Sequence, residues 1–242
     1  MRSALCLYGH FRTFTACWPS LCENLIKPNN INDIFVHAWA DSMGLFQHPE
    51  SSKDPKSHRG YDTNSPVPAS DYITDVCKKL QPHSVELPLF SAYEKKFESV
   101  LHDLKDWHHP SLHHRPKGTL GQVWGRCNSI RLKREYEEQN RIKFDYVVVT
   151  RYDIAYSQPI NLEQFSRDCV ITDGMYGSDV ISDAWCSGPS NLIDLWGRQF
   201  ADISNLVENH SMNLGPHEWL MSHFNLHRIP WIAQNVGISI CR

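Results

Sequence analysis

The sequence predicts an α/β fold with a mostly parallel central sheet flanked by helices. Tyr146 to Thr150 is a continuous run of β-branched and aromatic residues, the pattern of a strand buried on both faces. Ser3 to Tyr8 and Asp33 to Trp39 are two further apolar runs, separated by a segment with helical periodicity. This order is a β-α-β unit, which places parallel strands side by side. Because the 242 residues contain no internal repeat and no linker-like stretch, we predict one domain over residues 1–242.

Composition excludes several classes of function. With 41% apolar and 21% charged residues the chain has the make-up of a globular protein, and its net charge of −3 gives no broad attraction to nucleic acid or anionic membranes. No stretch reaches the ~18 apolar residues of a membrane span. Ala4 to Tyr8 is too short for the apolar core of a signal peptide, so we predict a cytoplasmic protein. The eight cysteines form no CxxC pair, which favours reduced thiols.

The first half of the chain carries the β-α-β unit and a long polar insertion. Gly9, after the first strand, permits a tight turn or a close backbone approach. Thr15 to Ile26 has apolar residues three and four apart, and Pro28 ends that helix. Residues 42–68 are rich in Ser, Pro, Asp and His, which predicts a mobile loop or lid. Three more elements are predicted before the middle of the chain: a helix over Ser70 to Leu80, a strand over Ser84 to Leu87 and a helix over Ser91 to Trp107.

A second polar loop and a long helix precede the central strand. Residues 107–118 contain four histidines, but their spacing matches no standard metal-ligand pattern, so we predict a mobile loop. Thr119 to Asn140 is predicted to be one helix. Gln122, Arg126, Ser129 and Lys133 form a polar stripe on it, and the N-terminal half of that stripe could border a site. Three acidic residues near its end are expected on the surface: Glu135, Glu137 and Glu138.

The last third of the chain is predicted to alternate short strands and helices. The predicted strands are Cys169 to Thr172, Ala184 to Gly188, Ile229 to Ile232 and Val236 to Ile240. The predicted helices are Ser190 to Leu206 and Pro216 to Phe224, the second with proline in its favoured first turn.

Gly9 and several polar residues lie at or just after the ends of the predicted strands, at the edge of the sheet where open α/β folds bind their ligands. They are Gly9, His10, Arg12, His37, Asp41, Arg151 and Asp153, with Asp183 just before a later strand. Arginines and backbone N–H groups suit a diphosphate, and one or two carboxylates suffice for a phosphate-bound Mg²⁺ or Mn²⁺. Asp183 or Glu218 could act as general base. Alternatively, Arg151 and Asp153 form an ion pair at a strand end.

Several common site motifs are absent from the sequence. No GxxxxGK[ST] phosphate loop, GxGxxG dinucleotide fingerprint or GxSxG nucleophile elbow is present. His217, Glu218 and His223 do not form HExxH, because the histidines are six residues apart rather than four. The spacing therefore argues against a zinc protease.

Four segments in order carry a resemblance to a known family: LCLYGHFRTF, DIFVHAW, SIRLKREYEEQN and FDYVVVTRYDI. The chain resembles GT-A-type glycosyltransferase-like proteins of bacteria, algae and large DNA viruses or phages. Their strands read as an apolar run followed by G-x-x-R-T, as D-x-F-x-H-x-W and as Y-D-x-V-x-x-x-R-x-D. The resemblance covers most of the chain and is weak over residues 42–118.

The resemblance implies a single-domain, Rossmann-like GT-A fold that transfers a sugar from a nucleotide-diphosphate donor to a hydroxyl of a glycan or glycoconjugate, as in polysaccharide biosynthesis. It implies Mn²⁺ or Mg²⁺ held by an Asp-x-Asp motif, whose place is taken here by Arg151-Tyr152-Asp153. Either Asp153 alone holds the metal, or Arg151 replaces it as counter-charge. The residues expected at the donor are Gly9, His10, Arg12, His37, Asp41, Gln122, Arg126 and Arg151, and those expected toward the acceptor are Asp183 and Glu218.

Two alternatives to glycosyl transfer stay open at this point. A sugar-phosphate nucleotidyltransferase would use a similar sheet, although the segment after the first strand is short for a triphosphate loop. A non-catalytic nucleotide- or glycan-binding module could use some of the eight tryptophans and nine tyrosines for stacking, although most such aromatics belong to cores.

Overall fold

A seven-stranded sheet forms the centre of the molecule. The computed structural model describes residues 1–9, 11, 14–40, 69–103, 116–174, 181–210 and 216–241. Its strands are β1 (Ser3–Gly9), β2 (Asp33–Ala38), β3 (Ser84–Glu86), β4 (Tyr146–Arg151), β6 (Val170–Asp173), β7 (Trp185–Pro189) and β8 (Trp231–Gln234), and β5 (Ile154–Tyr156) pairs apart with β9 (Ile238–Ile240). The strand order is β3-β2-β1-β4-β7-β6-β8. Among the described strands of the seven-stranded sheet, only β7 runs antiparallel to its neighbours.

Helices flank this sheet. They are α1 (Phe14–Leu21), α2 (Ala69–Leu80), α3 (Glu94–Asp103), α4 (Pro116–Asn140), α5 (Ser190–Trp196), α6 (Gln199–His210) and α7 (Pro216–Leu226). The predicted α/β class with a mostly parallel central sheet flanked by helices is therefore confirmed. Within the described ranges, none of these helices combines the length and apolar character needed to cross a membrane.

The core follows the alternation of side chains along the two central strands. Leu5 and Val148 join one apolar cluster, while Cys6 and Val149 join another on the opposite face. Every residue of β1 and the first five of β4 are buried. Burial of apolar residues on both faces of a parallel strand is what continuous β-branched runs favour. The strand ends between these two layers are the part of the fold that positions the site.

Several element boundaries differ from the sequence predictions. Helix α1 passes into a π-helical turn over Cys22–Ile26. The predicted helix from Ser190 to Leu206 is two helices, because the chain turns at Gly197, where a Cβ would lie 2.8 Å from Ile130 of α4. The last two strands of the chain begin two residues later than predicted, and the short β5 strand was not predicted.

The two predicted loops have different outcomes. Residues 42–68 lie outside the described residues, as do residues 107–115 with their four histidines. The prediction of a loop over 107–118 is wrong for its last three residues, because Pro116 to Gly118 form the start of α4. Proline is accepted in a helix's first turn, where its missing N–H would have no helical partner.

Candidate active site

Three strand ends meet at one edge of the sheet. β1 and β4 run parallel with Tyr8 opposite Arg151, so both strands end there. Because β7 is antiparallel to β4, its beginning reaches the same edge, and the Arg151 N–H donates to the Ala184 carbonyl at 3.2 Å. Asp183 precedes Ala184, and its own carbonyl accepts a hydrogen bond from the Tyr8 hydroxyl. The antiparallel strand thus brings Asp183 to the ends of β1 and β4.

Arg151 and Asp153 form a bidentate ion pair just past β4. The Nε and Nη2 of Arg151 donate to the two carboxylate oxygens of Asp153 at 2.8 and 2.5 Å. Asp153 is buried, and the Arg151 side chain is 20% exposed. Burial alone would lower the pKa of Arg151, but the charge and hydrogen bonds of Asp153 outweigh it and raise that pKa. The guanidinium is therefore a permanent cation at this edge.

Helix α4 covers the same edge with two residues of the predicted stripe. Gln122 donates from Nε2 to Asp183 Oδ2 at 2.7 Å. One turn later Arg126 is 1% exposed, with its Nη2 donating to Gln199 Oε1 and its guanidinium carbon 4.7 Å from the Trp196 ring centroid. Within the described part of the chain Arg126 forms no ion pair with a carboxylate, and its Nε–H has no hydrogen-bond partner. A buried cation without a paired anion is electrostatically unfavourable.

Tyr8 links the two arginines to Asp183. Burial raises the pKa of the Tyr8 phenol to about 12, against the opposing charges of Arg126 and Arg151. The Arg126 guanidinium lies 5.7 Å from the centroid of the Tyr8 ring. The phenol therefore stays protonated and remains a donor to Asp183. From the sequence, Tyr8 was predicted only as the last residue of the first strand.

His37 of β2 lies beside the end of β1, is fully buried, and forms no hydrogen bond with any described residue through its ring nitrogens. Burial, with a smaller effect of the Arg131 charge, lowers the His37 pKa to about 3, so the ring is neutral. Gly125 of α4 packs against it: a Cβ there would lie 3.2 Å from His37 Nδ1 and 3.8 Å from the Gly9 nitrogen. Gly9 itself has a φ of +105°, a conformation that favours glycine.

The described structure brings together six of the predicted site residues at the β1–β4 edge: Gly9, His37, Gln122, Arg126, Arg151 and Asp183, with Asp153 paired to Arg151. His10, Arg12 and Asp41 lie outside the described residues. Glu218 belongs to the first turn of α7, and its side chain is not described. The role of each residue toward a donor or acceptor stays a prediction.

The C-terminal half of the α4 stripe has a structural role. Lys133 is fully buried and lies 3.1 Å from Glu137 Oε2 and 2.7 Å from Asp194 Oδ1. The expectation that Glu137 lies on the surface is wrong, because it is 1% exposed and accepts the Phe144 N–H at 2.9 Å. Its neighbour Glu138 is exposed as expected.

One group of three metal-ligating side chains occurs among the described residues, and it is not at the strand ends. Asp202 of α6 lies with His223 of α7 and with His227, the first residue after that helix. The group was not predicted, because the predicted helix ended at Phe224, one residue past His223. The His227 N–H donates to the His223 carbonyl at 3.1 Å, so the i, i+4 spacing still places both histidines on one face, and this spacing was the available signal.

Comparisons with known proteins find similarity to solved structures alone. No protein-family model matches the sequence, and no curated protein sequence matches it. Mouse xyloside xylosyltransferase 1, in its apo form, is similar with a TM-score of 0.42 and 7% sequence identity, over 96% of this chain and 84% of that chain. Similarity at this level assigns no activity to the present chain.

Proposed function

We propose that this chain is a cytoplasmic glycosyltransferase that moves a sugar from a nucleotide-diphosphate donor to a hydroxyl of a glycan or glycoconjugate. The observation that carries the proposal is the pair of cationic side chains at the β1–β4 edge, Arg151 and the buried Arg126, which pairs with no carboxylate of the described residues. A diphosphate that forms as a leaving group needs such positive charge in a low-dielectric setting. The resemblance of four sequence segments to GT-A-type glycosyltransferase-like proteins supports the same reaction.

The proposed donor site extends over the strand ends. Arg126 and Arg151 provide the counter-charge for the diphosphate, with Arg12 and His10 following β1. Gly9, with its positive φ and no side chain, allows the donor to approach the backbone. His37, Asp41 and Gln122 complete the set that contacts the nucleotide and sugar.

Asp153 is the proposed ligand for Mn²⁺ or Mg²⁺. A carboxylate offers about four lone-pair directions, so its two bonds to Arg151 leave it able to hold one coordination position of a phosphate-bound ion. The ion would neutralise charge on the departing diphosphate. Arg151 would hold the Asp153 carboxylate in place whether or not the ion is bound.

Asp183 is the proposed general base for the acceptor hydroxyl. Its carboxylate is oriented by Gln122, and its backbone carbonyl by Tyr8. Glu218, in the first turn of α7, is the second candidate for this proton transfer.

The test is a donor-binding and turnover screen on the full chain. Nucleotide-diphosphate sugars are added with and without Mn²⁺, and binding is read as a rise in melting temperature and then by calorimetry. Arg126→Met is expected to weaken binding of the diphosphate donor about 10- to 100-fold, because one charge-assisted hydrogen bond is lost, with little effect on the bare nucleoside. Asp153→Asn is expected to abolish the effect of Mn²⁺ on donor binding.

Asp168→Asn serves as the matched control, since Asp168 is an exposed aspartate before β6. Equal loss of donor and nucleoside affinity in Arg126→Met would contradict the diphosphate site. Full turnover in Asp153→Asn would show that Asp153 holds no metal. Tight donor binding without transfer to any acceptor would favour a non-catalytic module, and full transfer by Asp183→Asn would leave Glu218 as the base.

A further inference from the structure

Three polar side chains meet where helices α6 and α7 pack together. Asp202 Oδ2 lies 2.7 Å from His227 Nε2 and 3.3 Å from His223 Nδ1. One ligand atom from each of the three residues lies within 4.8 Å of the other two. The ring centroids of the two histidines are 4.5 Å apart. Both nitrogens therefore face a single carboxylate oxygen.

The hydrogen bond on the far side of the His223 ring fixes its tautomer. Its Nε2 lies 3.0 Å from the carbonyl oxygen of Leu195, which can only accept, so Nε2 carries the hydrogen. In the neutral ring, Nδ1 then presents a lone pair to Asp202 Oδ2. This nitrogen is buried and takes part in no hydrogen bond with a described residue. Two acceptors that face each other at 3.3 Å repel unless a cation lies between them.

The surroundings of His223 do not favour a proton as that cation. The ring is fully buried, so a second proton would create a charged imidazolium away from water. A metal ion in this position would satisfy both acceptors. A ligating histidine whose other ring N–H donates to a backbone carbonyl is also the usual second layer of a protein metal site.

We propose that Asp202, His223 and His227 bind a zinc-type divalent transition ion, with water at a fourth position. Two imidazole nitrogens and one carboxylate suit Zn²⁺ better than Mg²⁺ or Ca²⁺, which prefer oxygen ligands. At bond lengths of about 2.0–2.1 Å, tetrahedral ligand atoms stand about 3.3 Å apart, the separation of Asp202 Oδ2 and His223 Nδ1 in the structure. Asp202 Oδ2 and His227 Nε2 are hydrogen-bonded at 2.7 Å and would move apart to that distance when the ion replaces the hydrogen between them. Asp202 and His227 are about one-fifth exposed, which leaves access for the ion and the water.

The ion would link α6 to α7 through side chains that come from different helices. This site uses none of the residues proposed for the donor or the acceptor, so failure to bind Zn²⁺ and failure to transfer sugar are separate outcomes. Zn²⁺ binds to the folded arrangement alone, because the ligands come together only when α6 and α7 pack. Binding therefore stabilises the fold by mass action.

The test is titration of the chelator-treated full chain with Zn²⁺ alone, without donor, by calorimetry and thermal shift. We expect one ion per chain and a rise in melting temperature. His227→Gln and Asp202→Asn are each expected to weaken Zn²⁺ binding at least about 10-fold and to remove the thermal shift. His83→Gln is the matched control, because His83 pairs with Asp33 at 2.9 Å but has no second histidine.

Co²⁺ provides a readout of the ligand set that does not depend on stability. The proposed site predicts a four-coordinate visible spectrum without thiolate charge transfer, lost in His227→Gln and kept in His83→Gln. A thiolate band would place the ion on one of the free cysteines and overturn the proposal. So would Zn²⁺ binding that His227→Gln leaves within threefold of the unaltered chain, or that His83→Gln weakens equally. Circular dichroism of the metal-free variants confirms that each is folded.

Discussion

Replacing Glu137 with glutamine should destabilise the protein through a buried charge network. The Glu137 carboxylate accepts four hydrogen bonds: from Lys133 Nζ at 3.1 Å, Lys143 Nζ at 2.9 Å, Phe144 N at 2.9 Å and Ser190 Oγ at 3.0 Å. Glutamine keeps the shape but offers one acceptor oxygen, and its amide nitrogen would meet donors. The substitution therefore removes a charge and two or more bonds at once.

The structure sets the size of the effect. Removing one member of a buried ion pair costs about 3–5 kcal/mol of the free energy of unfolding. Asp194 still lies 2.7 Å from Lys133 in the variant, so the buried lysine keeps one carboxylate and the cost falls at the lower end, about 3 kcal/mol. For a domain of this size, that corresponds to a melting temperature lower by about 6–12 °C. Lys133→Met, which leaves two carboxylates without their shared cation, should cost more.

The acid dependence of the Glu137 effect has a definite sign. Burial alone would raise the pKa of Glu137, but the hydrogen bonds from Phe144 and Lys143 and the charge of Lys133 together lower it from 4.5. A depressed carboxyl pKa stabilises the fold above the unfolded value and loses that stabilisation as the pH falls through the folded value. The difference between the two proteins should therefore be full above pH 4.5 and shrink below it.

Urea unfolding at several pH values measures both the loss of unfolding free energy and its dependence on pH. Glu138→Gln is the control, because Glu138 is the next residue of the same helix and is exposed. It should change the free energy of unfolding by less than about 0.5 kcal/mol. A Glu137→Gln variant within 1 kcal/mol of the unaltered protein, or no more affected than Glu138→Gln, would refute the inferred network.

Two further predictions concern the buried His37 and the two glycines with positive φ. Burial lowers the pKa of His37 from 6.5 to about 3, so the ring stays neutral in the folded protein while the unfolded chain takes up a proton below pH 6.5. The free energy of unfolding should therefore fall by roughly 2 kcal/mol between pH 6.5 and pH 5 because of this residue. In urea unfolding, His37→Gln should remove that part of the pH dependence. A slope that is the same in both proteins would contradict the buried, neutral ring. Gly237→Ala should lower the melting temperature more than Gly9→Ala. Both positions have a positive φ, which costs an alanine about 1–2 kcal/mol. A Cβ at position 237 would also lie 2.8 Å from Ser157 Oγ, whereas a Cβ at position 9 would meet no atom within 4 Å. Equal decreases in melting temperature for Gly237→Ala and Gly9→Ala would show that Ser157 and its neighbours move aside freely.

The elements with strong apolar patterns were predictable from the sequence. The runs at β1, β2 and β4 need burial on two faces, and that requirement is local enough to be visible in the residues themselves. The position of Asp183 was harder to predict from the sequence, because it depends on the direction of β7. A strand that pairs antiparallel with β4 brings its beginning, not its end, to the site, and no local pattern encodes that direction.

The α4 stripe shows why the roles of polar residues were harder still. Gln122, Arg126 and Lys133 have the spacing of a solvated helix face, yet the last two are buried against α5 and α6 and Gln122 reaches Asp183. Their partners, Gln199, Ser190 and Asp194, lie about 60 to 70 residues away and become neighbours only in the fold. Spacing alone cannot distinguish a solvated stripe from one that meets a second polar surface.

The two ends of this stripe are connected by the stiffness of the helix. Lys133 and Glu137 hold the C-terminal half of α4 to α5 and to the start of β4. Gln122 and Arg126 lie on the same helix, at the end that covers the strand ends. A rotation of α4 about its axis would therefore break the Lys133–Asp194 ion pair and withdraw Gln122 from Asp183 together. The Lys133–Asp194 pair between α4 and α5 thus fixes the direction from which Arg126 and Gln122 approach the ends of β1 and β4.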